Sequence, residues 1–179
     1  MKKSMFYWQV IGAVFTIVLG VFLHFLFDMT NRNVIAALFS AVNESIWEHM
    51  KLLFYPMFLF AIIESKFIGN EYEQFWCVKL KGILEGLLLI PVFYYAYTGI
   101  LGISADWMNI AIFIISTVIV FWKEMRLFKK GRKCFFDDEK AVVCLCLISI
   151  VFSVLTFSPL EIPLFEDPVT GNYGFYGLR

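Results

Sequence analysis

Charged residues are scarce in this chain, and neither sign is in excess. They make up 17% of the 179 residues, and 15 basic side chains balance 15 acidic ones. Such a balance argues neither for nor against a nucleic-acid partner, but for a chain that is 60% hydrophobic we expect none. Histidine is scarcer still, because His24 and His49 are the two in the sequence. Any site that needs imidazole must therefore draw on them.

Cysteine is also too sparse and scattered to indicate a disulfide framework. The four cysteines include no Cys-x-x-Cys pair. Cys144 and Cys146 are two residues apart, so on a helix they point to nearly opposite sides. We therefore expect no disulfide framework and no thiolate metal site.

Most of the chain consists of apolar residues instead. The chain is 60% hydrophobic and 19% aromatic, with a mean hydropathy of +0.76, whereas a soluble domain is nearer half apolar. Several long apolar runs accompany this composition, so the lipid bilayer is the expected environment. The predicted fold class is all-α, a polytopic transmembrane helical bundle of about five spans in one integral membrane domain.

The five predicted spans lie at about residues 6–27, 47–66, 82–101, 108–122 and 141–157. An irregular tail follows them at 158–179. The first span is too long for the apolar core of a signal peptide and has no small-x-small cleavage site, so we expect it to be retained. One helix over residues 34–68 would be about 52 Å long, well beyond the hydrocarbon core. We therefore predict a short extracytoplasmic interfacial or re-entrant helix at 34–46, with Pro56 as a candidate kink in the second span.

The distribution of basic residues predicts an orientation. With five spans and a cytoplasmic N-terminus, twelve lysines and arginines fall on the cytoplasmic side and three fall outside, as the positive-inside rule expects. The outer three are Arg32, Lys51 and Arg179. We therefore expect a multi-pass protein of the cell membrane with a cytoplasmic N-terminus and an extracytoplasmic C-terminus.

One polar stretch interrupts the apolar sequence just before the second span. Residues 40–51 contain a concentrated set of polar side chains, namely Asn43, Glu44, Ser45, Glu48, His49 and Lys51. Ionisable groups in or beside a bilayer are costly, so they indicate a functional site. On a continuous helix, 100° per residue would put Glu44 and Glu48 on one polar face.

The other histidine lies on a stripe of the first span. Gly12, Thr16, Gly20, His24 and Asp28 recur at every fourth position and so share one face. The three small residues suit close helix contact, which would give an accessory subunit a surface for a partner membrane protein. The two ionisable residues lie at the outer end, near the polar stretch.

A metal site is the sharpest hypothesis for this constellation. A catalytic zinc ion takes three protein ligands from histidine and carboxylate and keeps an open position for water. The candidate metal ligands are His24, His49, Asp28, Glu44 and Glu48. Glu44 or Glu48 would act as the catalytic base, and Asp28 could orient an imidazole. The alternative is polar packing, in which Glu48 pairs with Lys51 or Arg32 and Asp28 holds His24.

Two acidic residues outside this cluster also bear on function. Glu85 lies about one turn into the third span, where it either pairs with Lys81 at i−4 or lines a polar path across the bundle. Asp167 begins an Asp-Pro-Val-Thr-Gly segment that predicts a turn. The tail around it either folds over the outer cluster as a lid or remains a free terminus.

Three segments carry a resemblance to a known family. They are Asn-Glu-Ser-Ile-Trp-Glu-His at 43–49, Tyr-Thr-Gly at 97–99, and Ile-Pro-Leu-Phe-Glu-Asp-Pro-Val-Thr-Gly-Asn-Tyr-Gly at 162–174. In these the chain resembles a family of small bacterial polytopic membrane proteins with no assigned function. His-Phe-Leu-Phe-Asp at 24–28 is more weakly similar to the His-x-x-x-Asp of alkaline ceramidase and adiponectin-receptor-type membrane hydrolases. That similarity implies zinc chemistry, although the later His-x-x-x-His of those hydrolases does not occur here.

The sequence therefore favours an integral membrane protein whose outward-facing carboxylate–histidine pocket binds a metal or a small polar ligand. One alternative is a metal-dependent membrane hydrolase of a lipid or amide, for which zinc is the expected cofactor. Another is a small transporter that uses Glu85, or an accessory subunit of a membrane complex.

Overall fold

The computed structural model describes residues 2–130 and 134–176, and this part of the chain is helical without a β-strand. Its α-helices are α1 (Lys2–Met29), α2 (Val34–Phe39), α3 (Ile46–Ile68), α4 (Phe75–Leu101), α5 (Asp106–Lys130) and α6 (Asp138–Phe157). A 3₁₀ turn at Gly69–Glu71 follows α3. The predicted all-α class is confirmed. Some residues of the sequence predictions lie outside the described residues. They are Arg132 and Lys133 of the predicted charge pattern and residues 177–179 of the predicted tail.

Three helical segments of the described chain are long and apolar enough to cross a membrane. They are Met5–Met29, Ile46–Glu71 and Asp138–Phe157. The predicted count of five spans is therefore wrong. The predicted third and fourth spans lie within α4 and α5, which are long helices of 27 and 25 residues. The uncharged part of each is 16 residues long, 86–101 in α4 and 107–122 in α5, which is shorter than the ~20 residues that a span needs.

The small-residue stripe of α1 faces the inside of the bundle. α1 packs against α3 and α5, and α4 packs against α3, α5 and α6. Thr16 is fully buried, and a Cβ at Gly12 would collide with the rings of Phe60 and Phe121. The stripe therefore lets neighbouring helices of the same chain approach closely, and it does not offer the predicted surface for a partner protein.

The outward faces of the candidate spans are apolar. On α1 the exposed side chains include Val14, Val18 and Phe25, and on α6 they include Ile150 and Val154. Large apolar surfaces of this kind are stable in contact with lipid tails rather than with water. The structure thus agrees with the bilayer environment that the composition predicts.

The helix predicted at residues 34–46 is much shorter than expected. α2 ends at Phe39, and residues 40–45 are irregular before α3 begins. Ser45 ends this segment as the N-cap of α3, because its side chain accepts the Glu48 N–H at 3.4 Å. Glu44 therefore precedes the helix whereas Glu48 lies in its first turn, so the two do not share one helical face. α3 continues through Pro56.

A disulfide joins Cys77, near the start of α4, to Cys134, which follows α5. The expectation of no disulfide framework is wrong for this pair. The two cysteines are 57 residues apart, and no sequence pattern predicts a bond across such a separation. The Cys77 N–H donates to Asp138 Oδ1 at 3.1 Å, and the Cys134 N–H donates to Gln74 Oε1 at 2.6 Å. The disulfide and these bonds tie together the adjoining ends of α4, α5 and α6.

The tail after α6 folds back onto the bundle. The Trp47 N–H donates to the Leu164 carbonyl at 3.0 Å. The Trp47 ring lies between those of Phe152 and Phe165, with centroid distances of 4.6 and 4.7 Å. The tail is thus held at the N-terminal end of α3, where His49 also lies, as the lid alternative predicts.

Candidate functional site

Two histidines and one carboxylate meet at one end of the bundle. His24 Nε2 lies 3.8 Å from Glu44 Oε1, and His49 Nε2 lies 3.5 Å from Glu44 Oε2. The centroids of the two imidazole rings are 5.5 Å apart. One ligand atom from each of the three residues lies within 4.8 Å of the other two. Side chains from two helices and from the segment between them therefore converge on one small volume.

Close helix packing brings these residues together. His24 lies near the end of α1, His49 lies in the first turn of α3, and Glu44 lies in the irregular segment before α3. Gly20 is one turn before His24, and a Cβ there would lie only 2.7 Å from the Leu52 carbonyl oxygen. Because Gly20 has no side chain, the end of α1 can lie against the beginning of α3.

The structure defines how the His49 ring is oriented. Its Nδ1 lies 2.9 Å from the Ser45 carbonyl oxygen. A carbonyl oxygen can only accept, so Nδ1 is the donor, and in the neutral ring the lone pair is then on Nε2, the nitrogen nearer Glu44. Metal-binding histidines are commonly held in this way by a backbone carbonyl on the opposite ring nitrogen. Ser45 therefore both caps α3 and sets the His49 tautomer.

A cavity of about 420 Å³ adjoins the three residues. Its polar lining consists of His24, Glu44, His49 and Asn109, and its apolar lining comes mainly from α1 and α5. The side chains of His24, His49 and Glu44 are 29%, 19% and 45% exposed, so small ligands can reach them. The cavity can accommodate a molecule with a polar group at the histidines and an apolar part between the helices.

Glu48, a predicted ligand, belongs to a separate buried network. Its Oε2 lies 2.6 Å from Lys51 Nζ and accepts the Val42 N–H at 3.0 Å. Thr156 Oγ1 of α6 lies 2.9 Å from both Lys51 Nζ and Glu48 Oε1, and Lys51 also donates to the Ala37 carbonyl at 2.9 Å. This is the Glu48–Lys51 pair of the packing alternative, and it connects α2, α3 and α6.

Two other predicted residues have partners outside the three-residue group. The Asp28 side chain is 79% exposed and lies 3.8 Å from Arg32, so it is not placed to orient His24. Glu85 pairs with Lys123 of α5 and not with Lys81, the predicted i−4 partner. Lys123 reaches Glu85 because α4 and α5 pack against each other along their lengths.

Asn43 and Asp167 shape the backbone around the site. Asn43 Oδ1 accepts the Ser45 N–H at 3.0 Å, which stabilises the turn that carries Glu44. Asp167 is buried, and its carboxylate accepts from the Val169 N–H at 2.9 Å and the Thr170 hydroxyl at 2.8 Å. The predicted tail turn is confirmed by these bonds, and it brings Val169 into the cavity lining.

The tail also contains a hydrogen-bonded pair of acidic groups. The Tyr173 hydroxyl donates to Glu166 Oε2 at 3.3 Å. Desolvation, and then the negative charge of Glu166, raise the pKa of the Tyr173 phenol above its ordinary value. The raised pKa extends the range in which Tyr173 is a protonated donor to more alkaline pH.

Sequence reasoning missed Asn109, which lines the cavity from the first turns of α5. Its Oδ1 accepts the Tyr97 hydroxyl proton at 2.7 Å. Tyr97 belongs to one of the segments that carry the family resemblance, but nothing in the spacing links it to Asn109. Their contact depends on the turn between α4 and α5.

Nearly the whole sequence can be assigned to a family, since residues 1–175 match the model of a family of unknown function. The chain belongs to the DUF6512 family. Comparison with curated proteins and with solved structures found no match. Membership in DUF6512 agrees with the expected resemblance to a family without assigned activity. The function of this DUF6512 chain must therefore be argued from the geometry of its site.

Proposed function

We propose that this DUF6512 protein is an integral membrane protein that binds a divalent transition-metal ion, with zinc expected, through His24, Glu44 and His49. Two imidazole nitrogens and a carboxylate oxygen are a common ligand set for zinc. Such a set leaves a fourth position, which here would face the cavity.

The spacing of the three ligand atoms is the observation that supports this proposal. The separations of 3.5 and 3.8 Å between Glu44 and the two imidazoles are long for hydrogen bonds. They involve different oxygens of Glu44, and one ligand atom from each residue lies within 4.8 Å of the other two. A small approach of these side chains would give the ~3.3 Å that separates ligand atoms in a tetrahedral site with bonds of about 2.0–2.1 Å. The Ser45 carbonyl adds support, because it keeps His49 Nε2 available as a ligand.

The proposal is tested by metal analysis of protein purified without chelator. We expect zinc in a stoichiometric amount in the wild-type protein, and its loss in His49→Ala and in Glu44→Gln. Asp28→Asn is the matched control, because Asp28 is an exposed carboxylate on the same side that pairs with Arg32. The proposal fails if wild-type protein neither retains zinc nor takes it up, or if Asp28→Asn loses the metal as well.

The cavity favours metal-dependent hydrolysis as a second candidate function. Its polar end contains the three ligands and Asn109, and its walls are apolar, so an amphiphilic ester or amide fits its chemistry. A zinc ion at the ligands would supply Lewis-acid chemistry. The Asn109 amide would orient the polar group of the substrate, and Glu48 is not available as a base because it is bound to Lys51.

We also propose that the site faces away from the cytoplasm. The predicted orientation rests on the excess of basic residues at the opposite end of the bundle. It does not depend on the number of spans being five, since three spans also put the two termini on opposite sides. In either case the segment between α1 and α3 lies outside with the tail.

A further inference from the structure

A second group of buried polar side chains lies at the end of the bundle opposite the histidines. Gln9 lies near the start of α1, Glu64 near the end of α3, Lys79 near the start of α4, and Glu124 near the end of α5. None of the four is more than 3% exposed. Four helices thus each contribute one polar residue to the same interior volume.

Lys79 is shared between two carboxyl groups. Its Nζ lies 2.5 Å from Glu64 Oε2 and 2.6 Å from Glu124 Oε2. Gln9 Nε2 donates to the remaining oxygen of Glu64, Oε1, at 3.1 Å. The other oxygen of Glu124, Oε1, has no hydrogen-bond partner among the described residues. One ammonium group therefore serves two carboxyl groups, and one carboxyl oxygen is left unbonded.

The surroundings of this group exclude water. Lys79 Nζ lies 5.4–5.7 Å from the ring centroids of Phe75, Phe121 and Phe128. Glu124 packs so closely against Gly82 of α4 that a Cβ there would collide with the carboxyl group. In such an environment an uncompensated charge is strongly disfavoured.

The charge of the group decides its protonation. Two ionised carboxylates and one ammonium would leave one net negative charge inside the bundle. A buried carboxyl group in this position avoids that cost by binding a proton, especially beside a second carboxylate. The Glu48–Lys51 network differs, because one carboxylate and one ammonium there are already neutral together.

We propose that Glu64 and Glu124 form a proton-binding site, in which the two carboxyl groups share Lys79 and hold one exchangeable proton at neutral pH. The ligand of this site is a proton, and the site is separate from the three metal ligands. Binding changes the charge of the group from −1 to zero, and release returns it to −1.

Gln9 lies between this site and a cleft in the surface of the bundle. It lines a cleft of about 140 Å³ between α1 and α5 whose other lining residues are apolar. The Gln9 carboxamide contacts Glu64 through Nε2, and its buried Oε1 has no hydrogen-bond partner in the part of the chain that the structure describes. Gln9 is thus the polar contact between the carboxyl pair and the cleft.

Among the described residues, the neighbouring ionisable groups do not neutralise the pair. Tyr72 follows α3, and desolvation first, then the charges of Glu71 and Glu64, raise its pKa, so it stays a neutral phenol. Asp138 of α6 is bound to the Cys77 N–H. The side chains packed around Lys79 are neutral aromatic residues. Lys79 is therefore the cation that the two carboxyl groups have in common.

Infrared spectroscopy of the purified full-length protein tests this proposal directly. A protonated carboxyl group gives a carbonyl band that is separate from the amide and carboxylate bands and shifts in D₂O. We expect this band in the wild-type protein at neutral pH and its loss on alkaline titration. Wild-type protein without the band at neutral pH would overturn the proposal, whatever happens to any variant.

Variants then assign the band to the two carboxyl groups. Glu124→Gln and Glu64→Gln should each lose it, because the surviving carboxylate forms a neutral pair with Lys79. Lys79→Met should increase it about twofold, since neither carboxyl group then has a cation. Glu85→Gln is the control, because it removes a partly exposed glutamate that already has Lys123 as its own cation. A band that persists in both Glu64→Gln and Glu124→Gln would refute the assignment.

Discussion

Glu44 and Glu48 are four residues apart, yet the structure gives them opposite surroundings. Glu44 is half-exposed between two imidazoles, whereas Glu48 is buried against Lys51. The difference arises at Ser45, where α3 begins. Ser-x-x-Glu at 45–48 is the pattern of a capping box and is the signal in the sequence that could have located this boundary. In the structure Glu48 accepts from the Val42 N–H, so its side chain points away from the histidines.

Lys51→Met tests the structural role of the Glu48 network. The variant leaves the Glu48 carboxylate buried without its cation, and breaking a buried pair in this way costs about 3–5 kcal/mol. We expect a clearly lower unfolding temperature, measured by thermal unfolding in detergent. Lys140→Met is the control, because Lys140 belongs to an exposed pair with Asp137. Equal unfolding temperatures for the two variants would contradict a stabilising role for Lys51.

Site residues could be predicted from the sequence where the residue type is rare or where the candidates lie close together in the chain. His24 and His49 are the two histidines, and they flank one short connection, so their common location could be anticipated. Gln9, Glu64, Lys79 and Glu124 gave no comparable signal, because they lie on four different helices and no sequence spacing links them. Cys77 and Cys134 were missed for the same reason. These groups are assembled by the packing of helices that are distant in sequence.

At the scale of elements, the spacing of small residues predicted close packing but not its partner. The stripe on α1 does support close helix contact, as a four-residue period of small residues suggests. The contact is with α3 and α5 of the same chain, as the positions of Gly12 and Gly20 show. A helical pattern defines which face is packed, whereas the identity of the neighbour depends on the whole fold.

Gly20→Ala tests whether the packing of α1 positions the metal ligands. The added Cβ would lie 2.5 Å from the Phe113 ring and 2.7 Å from the Leu52 carbonyl oxygen. Backbone cannot move aside easily, so α1 should shift and displace His24 relative to His49. We expect zinc affinity to fall about tenfold or more, as when residues that position metal ligands are changed.

Zinc competition with a chromophoric chelator measures this effect. Gly99→Ala of α4 is the matched control, because a Cβ there would meet open space, and its zinc affinity should equal that of the wild type. If Gly20→Ala bound zinc as tightly as Gly99→Ala, close approach of α1 and α3 would not be what positions His24.

At the scale of the whole molecule, the two ends of the bundle have different chemistry. The histidine end is partly exposed and covered by the tail, and the Glu64–Lys79–Glu124 end is sealed by aromatic rings. Between them the rings of Phe60 and Phe121 pack at Gly12, and the ring of Phe113 packs at Gly20. Aromatic packing thus separates the two ends along α1, which favours two independent sites over one polar path.

Two features of the Glu64–Lys79–Glu124 end point to opposite compartments. The concentration of basic residues there indicates the cytoplasm. The Cys77–Cys134 disulfide is at the same end, and disulfides persist mainly in oxidising compartments. If this end is cytoplasmic, as we propose, the two cysteines should be reduced in living cells.

Site-specific labelling decides the orientation. Cysteines introduced at Val169 in the tail and at Asn70 after α3 are exposed reporters of the two ends, with the four native cysteines replaced by serine. We expect a membrane-impermeant maleimide to label Val169→Cys in intact cells and Asn70→Cys only after permeabilisation. In cells that carry the wild-type protein, Cys77 and Cys134 should react with a membrane-permeant alkylating reagent, because cytoplasmic thiols are kept reduced. Labelling of Asn70→Cys but not Val169→Cys in intact cells would reverse the orientation. The histidine site would then lie on the cytoplasmic side, and the Cys77–Cys134 disulfide would lie outside.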